Sequence, residues 1–565
     1  MSTTSDRVKR FIETKGWKFY CAVVASIAVT GASLYYLVSS SSPSKTLPGD
    51  NTSSKEQQRR DGSTARDSNN NYEGMSVETI TKLSTKQRAE VAHTLKAKGN
   101  RLFGEKNWAE AARVYTKAIE FKADPVYYSN RAACYANLGD NDRVFDDCNN
   151  ALQLNPVYIK ALNRRAHSLE LRGDKEEALY DYTCVCILDN FKNEVAARSV
   201  ERLRKKVTEK KAAEIMKTKK RRLPSSSFVS AYFDSYRPDR SRAEPIKSSE
   251  NKGDEYFFNA YNAVKSKNYE EASEFCDKAI QEGCSPVYRA HALNIQGTLL
   301  FLKGNARDAL ECFNKSIQLD PKYIQSYIKR SSICIEQGNL VAALKQFDEA
   351  LAINPTDPDI FYHRGQVNYI SGNFQNAAKD YSESIKLDDS FIYAHIQLGV
   401  TKYKLGQIDS SVTTFEETLK KFPQSSEVHN YFGELLVEQQ SLPQALEMFT
   451  KAIALDQNSP LPYINKATLT YQVMGDPNEA IRLCKMALKV DPACDAAVAS
   501  LAQILLEQGK LEEALKYYET AIDLARTEAE VEHALSFVEA TKAQIRFAKD
   551  YPQQAAESLA KLHRK

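Results

Sequence analysis

Few of the residues and motifs on which enzymes depend occur in this chain. It has only eight histidines in 565 residues, and none forms an HExxH pair that would bind zinc. It contains neither a GxxxxGKS or GxxxxGKT loop to bind phosphate nor a GxSxG turn to present a nucleophilic serine. Its many carboxylates are expected on the solvated faces of amphipathic helices. We therefore predict that the protein is not an enzyme and has no cofactor or metal.

The chain also lacks a strong charge excess and a cysteine motif. Its 77 lysines and arginines nearly balance 73 aspartates and glutamates, and the net charge of +4 gives no case for nucleic-acid binding. The eleven cysteines are scattered, and only Cys184 and Cys186 lie close together, at a spacing that fits neither a zinc nor a redox motif. We expect most of them to be small core residues in a reducing compartment.

One long apolar run is present, near the amino terminus. Residues 19–38 carry no charged side chain and have aromatic residues at both ends, and a helix of this length extends roughly 30 Å. A cleaved signal peptide is the alternative, but the run exceeds a usual signal core, and bulky Tyr-Tyr-Leu-Val stands where a small-residue cleavage site should be. We predict a short segment at 1–18, a transmembrane anchor at 19–38, and a flexible linker of polar composition at 39–88.

The residues leave the orientation of this anchor open. Basic residues cluster before it and only Lys45 follows soon after, so the positive-inside rule would move the large domain across the membrane. Eleven unpatterned cysteines and few glycosylation sequons argue against a secreted domain. A moderately hydrophobic anchor with basic flanks also fits the mitochondrial outer membrane.

From Ala89 onward a period of about 34 residues appears, the length of a tetratricopeptide repeat (TPR). Small residues recur at offsets of 12 and 7, where two helices would cross closely, and Asn-Pro or Asp-Pro pairs would end the second helices. The small residues are Gly99, Ala111 and Ala118; Gly297, Ala309 and Ser316; Gly365, Ala377 and Ser384; Gly433, Ala445 and Ala452; and Ala502, Ala514 and Ala521. We predict an all-α TPR superhelical solenoid of about eleven helix-turn-helix repeats in two blocks.

The first block is predicted at 89–192 with three repeats, and the second at 254–565 with eight repeats and a capping helix. Between them, 193–253 reads as a basic helical linker and loop. The basic run there also matches a nuclear signal or a nucleic-acid patch, but interspersed apolar residues such as Ile215 and Met216 favour a linker.

In TPR arrays the first helix of each repeat lines the concave face, so residues at fixed offsets from its small residue point inward. In the first block five such residues combine cations and amides: Lys96, Asn100, Asn130, Lys160 and Arg164. Together they suit a main-chain carboxylate and an acidic side chain, although surface lysines and arginines are common on any protein.

The corresponding positions of the second block are mixed, and suit varied segments through shallow apolar and polar contacts, with packing inside the repeats as the alternative. We take ten of them as a candidate groove: Tyr362, His363, Gln366, Tyr393, Ile396, Gln397, Tyr431, Glu434, Ile464 and Gln503.

Three stretches of the first block, KAKGN, YYSNRAACYA and KALNRRA, resemble the dicarboxylate-clamp TPR modules of heat-shock chaperone co-factors. The resemblance implies that Lys96, Asn100, Asn130, Lys160 and Arg164 bind the Glu-Glu-Val-Asp tails of the 70- and 90-kDa heat-shock proteins.

The whole arrangement, with LPSSSFVSAYF between the blocks, FYHRGQVNYI at 361–370 and YYETAIDLARTEAEVEHALSFVEATKAQ at 517–544, resembles the 70-kDa receptors of the mitochondrial outer-membrane translocase. It implies a single-pass protein with its amino terminus in the intermembrane space and its repeats in the cytosol. It also implies binding of precursor proteins with internal targeting signals in the second groove, transfer to the pore with other translocase subunits, and no nucleic acid. A membrane-anchored co-chaperone scaffold at the endoplasmic reticulum or peroxisome is the alternative.

Overall fold

A computed structural model describes residues 72–238 and 251–562, and this part of the chain is all-helical, with 27 α-helices and no strand. The first nine are α1 (Val77–Thr81), α2 (Thr85–Gly104), α3 (Trp108–Phe121), α4 (Pro125–Asn137), α5 (Asn141–Leu154), α6 (Ile159–Arg172), α7 (Lys175–Leu188), α8 (Glu194–Thr218) and α9 (Ser226–Asp234). The others are α10 (Lys252–Lys265), α11 (Tyr269–Glu282), α12 (Pro286–Leu302), α13 (Ala306–Leu319), α14 (Ile324–Glu336), α15 (Leu340–Ile353), α16 (Pro358–Ile370), α17 (Phe374–Leu387), α18 (Ile392–Lys404), α19 (Ile408–Lys421), α20 (Ser426–Glu438), α21 (Leu442–Leu455), α22 (Pro460–Leu469), α23 (Pro477–Val490), α24 (Asp495–Glu507), α25 (Leu511–Leu524), α26 (Glu528–Asp550) and α27 (Pro552–Leu562).

The helices pair as the repeat period predicts. Helices α2 to α7 form three pairs and α10 to α25 form eight, and the two helices of every pair pack against each other. The predicted solenoid of eleven repeats in two blocks is therefore confirmed. The transmembrane helix predicted at 19–38 lies outside the described residues. Among residues 72–238 and 251–562, no helix combines the length and apolar character that a bilayer crossing requires.

Local signals set the turn and the ends of each pair. In the turn between α18 and α19, Gly406 takes a φ of +77°, which glycine adopts without steric cost. The side chain of Asn339 caps α15 by accepting a hydrogen bond from the backbone N–H of Ala342 at 3.0 Å. The same helix ends at Asn354, the C-cap residue directly before a proline, as predicted.

The small residues of the repeat lie where the paired helices cross. A Cβ placed on Gly365 would lie 2.8 Å from the ring of Tyr381, and one placed on Gly433 would lie 2.6 Å from Phe449. In both pairs the aromatic residue follows the glycine by sixteen positions, which brings it opposite on the second helix. The prediction of close helix crossings at these residues is confirmed.

A second contact at the same spacing joins the helices of several pairs. The Arg131 guanidinium donates two hydrogen bonds to Asp147, at 2.6 and 2.9 Å, and Arg165 donates two to Asp181, at 2.7 and 2.8 Å. Both carboxylates are almost fully buried. Because removing one partner would leave an uncompensated buried charge, these pairs fix the register of the two helices.

The chain divides into two compact units, which split α8 and α26 between them. Of the described residues, the first unit comprises 72–211 and 539–562, and the second comprises 212–238 and 251–538. The sequence prediction placed 539–562 with the second block. The structure groups these residues with the first, because Arg546 there pairs with Glu177 at 2.8 Å and lies 3.8 Å from the centre of the Tyr180 ring.

Part of the predicted linker, 193–253, is packed into the second unit. The basic run forms α8, as the sequence suggested, but residues 223–237 are not an exposed loop. Val229 and Tyr232 of α9 have no exposed surface and belong to the core of the second unit. Other apolar and aromatic side chains of this segment, such as Phe228 and Phe233, are half-buried against the same core.

The cysteines behave as core residues. All ten cysteines in the described part of the chain carry free thiols, and eight of them are buried. Burial raises the pKa of the Cys148 thiol to about 12, which keeps it neutral and unreactive. No group of histidines, cysteines and carboxylates suited to a metal occurs among residues 72–238 and 251–562.

Candidate functional site

The five predicted clamp residues lie on the first helices of the three repeats in the first unit. Lys96 and Asn100 are on α2, Asn130 is on α4, and Lys160 and Arg164 are on α6. Helix α2 begins with a capping box between Ser84 and Gln87, and α4 begins with a capping aspartate and a proline. Helices α4 and α6 also pack against each other. The local sequence therefore fixes where α2 and α4 start, and the packing of α4 against α6 places the helix that carries Lys160 and Arg164 beside the helix of Asn130.

Asn100 and Asn130 meet directly. The amide nitrogen of Asn130 donates to Oδ1 of Asn100 at 3.2 Å, and the Tyr115 hydroxyl donates to the same oxygen at 2.7 Å. With its oxygen occupied twice, the Asn100 amide is oriented, and its nitrogen donates to no described residue. Asn100 is exposed, so this nitrogen is available as a donor to a ligand.

Tyr115 contacts the candidate site, and sequence reasoning missed it. Its ring packs against Gly99, where an added Cβ would be 2.7 Å away, and its hydroxyl holds Asn100. Burial raises the pKa of this hydroxyl to about 12, so it stays protonated and donates. The signal was an aromatic residue sixteen positions after a glycine, a spacing that also recurs at Gly365 and Tyr381.

Arg164 is placed against α4. Its Nη1 donates to the hydroxyl oxygen of Ser129 at 2.5 Å, and Ser129 is fully buried next to Asn130. This contact orients the guanidinium but leaves its charge uncompensated, because no described carboxylate lies within ion-pair distance of Arg164. Lys96 is half-buried and Lys160 is exposed. Neither makes a hydrogen bond or an ion pair with another described residue, so the structure does not join them to the other three.

The neighbouring cations differ in this respect. On α2, Lys98 pairs with Glu73, whereas Lys96 two positions earlier has no acidic partner within residues 72–238 and 251–562. On α6, Arg165 pairs with the buried Asp181, whereas Arg164 has none among the described residues. Lys96, Lys160 and Arg164 thus have no counter-charge among the described residues, and the Asn100 and Asn130 amides lie on the same set of first helices. Charge-assisted hydrogen bonds to a carboxylate are the strongest interaction such a set can make.

The ten candidate groove residues of the second unit are mostly buried. Tyr362, Ile396 and Ile464 have no exposed surface, and His363, Gln366, Gln397 and Tyr431 have almost none. Tyr393, Glu434 and Gln503 are half-buried. These side chains therefore lie within the packed unit and do not form a widely accessible wall.

Several of the candidate groove residues form two hydrogen-bonded clusters. Nδ1 of His363 lies 2.9 Å from Oε1 of Gln366, and the Gln366 amide donates to the Tyr362 hydroxyl at 3.1 Å. Burial lowers the pKa of His363 to about 3, so this imidazole is neutral. Two repeats later the Glu434 carboxyl accepts hydrogen bonds from two amides, those of Asn430 at 3.0 Å and Asn465 at 2.7 Å.

Glu434 and Gln503 complete the set. Burial raises the pKa of Glu434 to about 8, so a large part of this carboxyl is protonated at neutral pH. Gln503 donates to Glu507 and accepts from the Tyr518 hydroxyl at 3.3 Å. The first helices of the second unit thus carry a row of buried and half-buried polar groups among apolar and aromatic side chains.

Models of the tetratricopeptide repeat match residues 290–323, 396–460 and 474–536, and a TPR repeat model matches 332–372. These matches confirm the repeat assignment in the second unit.

The chain is 30% identical over 502 residues to the mitochondrial import receptor subunit TOM70 of Rattus norvegicus, covering 83% of this chain and 81% of that protein. The subunit of the same name from Saccharomyces cerevisiae is 29% identical over 524 residues, covering 85% and 84%. The crystal structure of yeast Tom70 aligns with a TM-score of 0.53 and 31% identity, covering 83% of this chain and 99% of that one. These findings confirm the resemblance noted from the sequence. The chain belongs to the TOM70 family of mitochondrial import receptor subunits.

Proposed function

We propose that this protein is a receptor of the mitochondrial outer membrane that receives precursor proteins for import, and that it acts by binding and not as an enzyme. Membership of the TOM70 family over more than four-fifths of the chain supports this role. In this proposal residues 19–38 cross the membrane once, the amino terminus lies in the intermembrane space, and both TPR units lie in the cytosol. Other translocase subunits are the partners at the membrane.

The first unit is proposed to dock the 70- and 90-kDa heat-shock chaperones. The observation that carries this assignment is that Lys96, Lys160 and Arg164 have no counter-charge among the described residues and lie on the first helices of the repeats that also carry Asn100 and Asn130. An acidic carboxy-terminal tail supplies a main-chain carboxylate and acidic side chains. Each charge-assisted hydrogen bond contributes about 1.5–3 kcal/mol before desolvation, so a few of them suffice for a specific, reversible complex.

The second unit is proposed to bind the precursors themselves, which carry internal targeting signals, and to pass them to the translocase pore. Its interior offers aromatic faces and the buried polar groups around His363 and Glu434. Such a lining accommodates varied apolar segments and supplies a few hydrogen bonds to orient them.

Localisation and topology can be tested together. We expect a fluorescent fusion of the full-length chain to mark mitochondria, whereas a reticular or punctate pattern would favour a co-chaperone scaffold at the endoplasmic reticulum or peroxisome. Protease added to intact mitochondria should then remove both TPR units. Protection of the repeats until the outer membrane is opened would contradict the proposed orientation.

A further inference from the structure

Residues 223–237, here called the inner segment, are surrounded by repeat helices of the second unit. The segment contains α9, and its side chains Val229 and Tyr232 are fully buried in the same core as Phe257 and Phe301. It is not itself part of a repeat, since the first helix pair of this unit begins only with α10. The inner segment is therefore an additional element held by the array.

Aromatic side chains of the inner segment stack on two repeats of the second unit. The Tyr236 ring stacks on His363 with 4.3 Å between ring centres, and the Phe233 ring stacks on Tyr269 at 5.6 Å with the planes nearly parallel. These partners lie on α16 and α11, in repeats that are far apart in sequence. His363 is also one of the candidate groove residues, so the inner segment already covers part of that groove.

A basic residue ends the inner segment and is fixed by two carboxylates. The Arg237 guanidinium donates to Asp359 at 2.6 Å and to Asp388 at 2.7 Å, and its charge lies 4.1 Å from the centre of the Phe391 ring. At the other end the backbone N–H of Ser227 donates to Asp491 at 3.2 Å. The segment is thus held at both ends by acidic side chains of the array.

Lys329 shows what the groove requires of an occupant. This side chain is almost fully buried, donates to Asn294 at 2.8 Å, and has no carboxylate within ion-pair distance in the described part of the chain. Its ammonium lies over the rings of Tyr236 at 4.8 Å and Phe233 at 5.5 Å. Burial lowers the pKa of Lys329 to about 7, so part of this amine is charged at neutral pH, and the two aromatic faces stabilise that charged form. Any segment that replaced the inner segment would have to supply similar ones.

We propose that the inner segment is a resident ligand of the second-unit groove, and that an incoming precursor segment displaces it by presenting the same chemistry. That chemistry is a short helix with aromatic side chains that face the groove, followed by a basic residue. The inference rests on the proposed function of the second unit and adds to it a ligand class and a competition step. The inner segment lowers the apparent affinity for precursor, which equals the intrinsic affinity multiplied by the fraction of molecules whose groove is free.

Hydrogen exchange of the full-length chain tests the displacement. The probe is a synthetic peptide that carries an internal targeting signal with aromatic residues and an arginine. Saturating peptide should raise deuterium uptake of the α9 amides, because the inner segment leaves its site. Bound peptide with unchanged or lowered uptake in α9 would overturn the inference and leave the proposed function intact. No binding of any precursor peptide would instead refute the proposed function.

An Arg237→Gln variant tests the competition independently. It removes both ion pairs that hold the end of the inner segment, so the peptide should bind about tenfold tighter, equivalent to about 1.4 kcal/mol. The matched control is Arg364→Gln in the same unit, which removes an ion pair with Asp380 at 2.6 Å that does not involve the inner segment. Equal affinities of Arg237→Gln and wild type would count against displacement. Should Arg237→Gln fail to fold, the exchange measurement on the wild-type chain decides alone.

Discussion

Substituting Arg164 by alanine should weaken the binding of a chaperone tail peptide without preventing binding of precursor. The guanidinium has a hydrogen bond to Ser129 but no carboxylate partner among the described residues, so its charge is available to a ligand. Loss of one charge-assisted hydrogen bond costs about 1.5–3 kcal/mol. This corresponds to a dissociation constant about 10 to 150 times higher for a peptide ending in Glu-Glu-Val-Asp.

The substitution has a structural side effect that must be separated from the loss of binding. It leaves the buried Ser129 hydroxyl without this donor, and an unsatisfied buried polar group costs about 1–3 kcal/mol of stability. Lys160→Ala avoids this problem, because Lys160 is exposed and makes no hydrogen bond to another described residue. Lys160→Ala should also raise the dissociation constant of the tail peptide, while the unfolding temperature stays unchanged.

Isothermal titration calorimetry with three variants provides the assay. Lys98→Ala is the matched control, since Lys98 lies on α2 but is already paired with Glu73, and exposed pairs of this kind contribute little. An amidated peptide, which lacks the main-chain carboxylate, should reproduce much of the loss. Unchanged affinity in Arg164→Ala and Lys160→Ala, or an equal loss in Lys98→Ala, would refute the clamp assignment.

Three further predictions concern the fold around the two sites. Gly99→Ala should destabilise the first unit by about 1–3 kcal/mol, since its Cβ would lie 2.7 Å from the Tyr115 ring. In Gly104→Ala, five residues farther along α2, the Cβ meets nothing within 4 Å, so thermal unfolding should be unchanged or shifted upward. Asp181→Ala leaves the partly buried Arg165 guanidinium without its carboxylate and should cost about 3–5 kcal/mol, measured by denaturant unfolding; a loss below about 1 kcal/mol would show that the pair does not fix the helices. Burial raises the pKa of Glu434 to about 8, from 4.5 in the unfolded chain. Between these two pH values the folded state binds a proton that the unfolded state has lost. Stability therefore falls as pH rises from about 4.5 to about 8. Glu434→Gln should remove this part of the pH dependence in unfolding measurements at pH 5 and pH 9, whereas an unchanged difference between the two pH values would place the titration elsewhere.

The repeats were predictable from the sequence because their signals are local. A glycine or alanine must lie where two adjacent helices cross, and proline cannot continue a helix, so a period of about 34 is visible without any long-range information. The close approaches at Gly365 and Gly433 confirm this reasoning. The helices that carry the five clamp residues followed from the same register.

Contacts between distant parts of the chain were not predictable in the same way. The Asn100–Asn130 hydrogen bond and the role of Tyr115 depend on the angle between helices, which no local pattern gives. The inner segment was assigned to a linker on the basic charge of the residues before it. Its own aromatic residues, such as Tyr232 and Phe233, were the signal for burial, but only the structure shows which repeats bury them.

Import into isolated mitochondria tests the central claim most directly. The measurement is the rate at which a precursor with internal targeting signals, delivered by cytosolic chaperones, enters mitochondria whose only copy of this receptor carries Lys160→Ala and Arg164→Ala. We expect import to slow several-fold relative to mitochondria with the Lys98→Ala control, while precursor presented without chaperones still binds the receptor. Equal import rates for the clamp variant, the control and mitochondria that lack the receptor altogether would contradict the account.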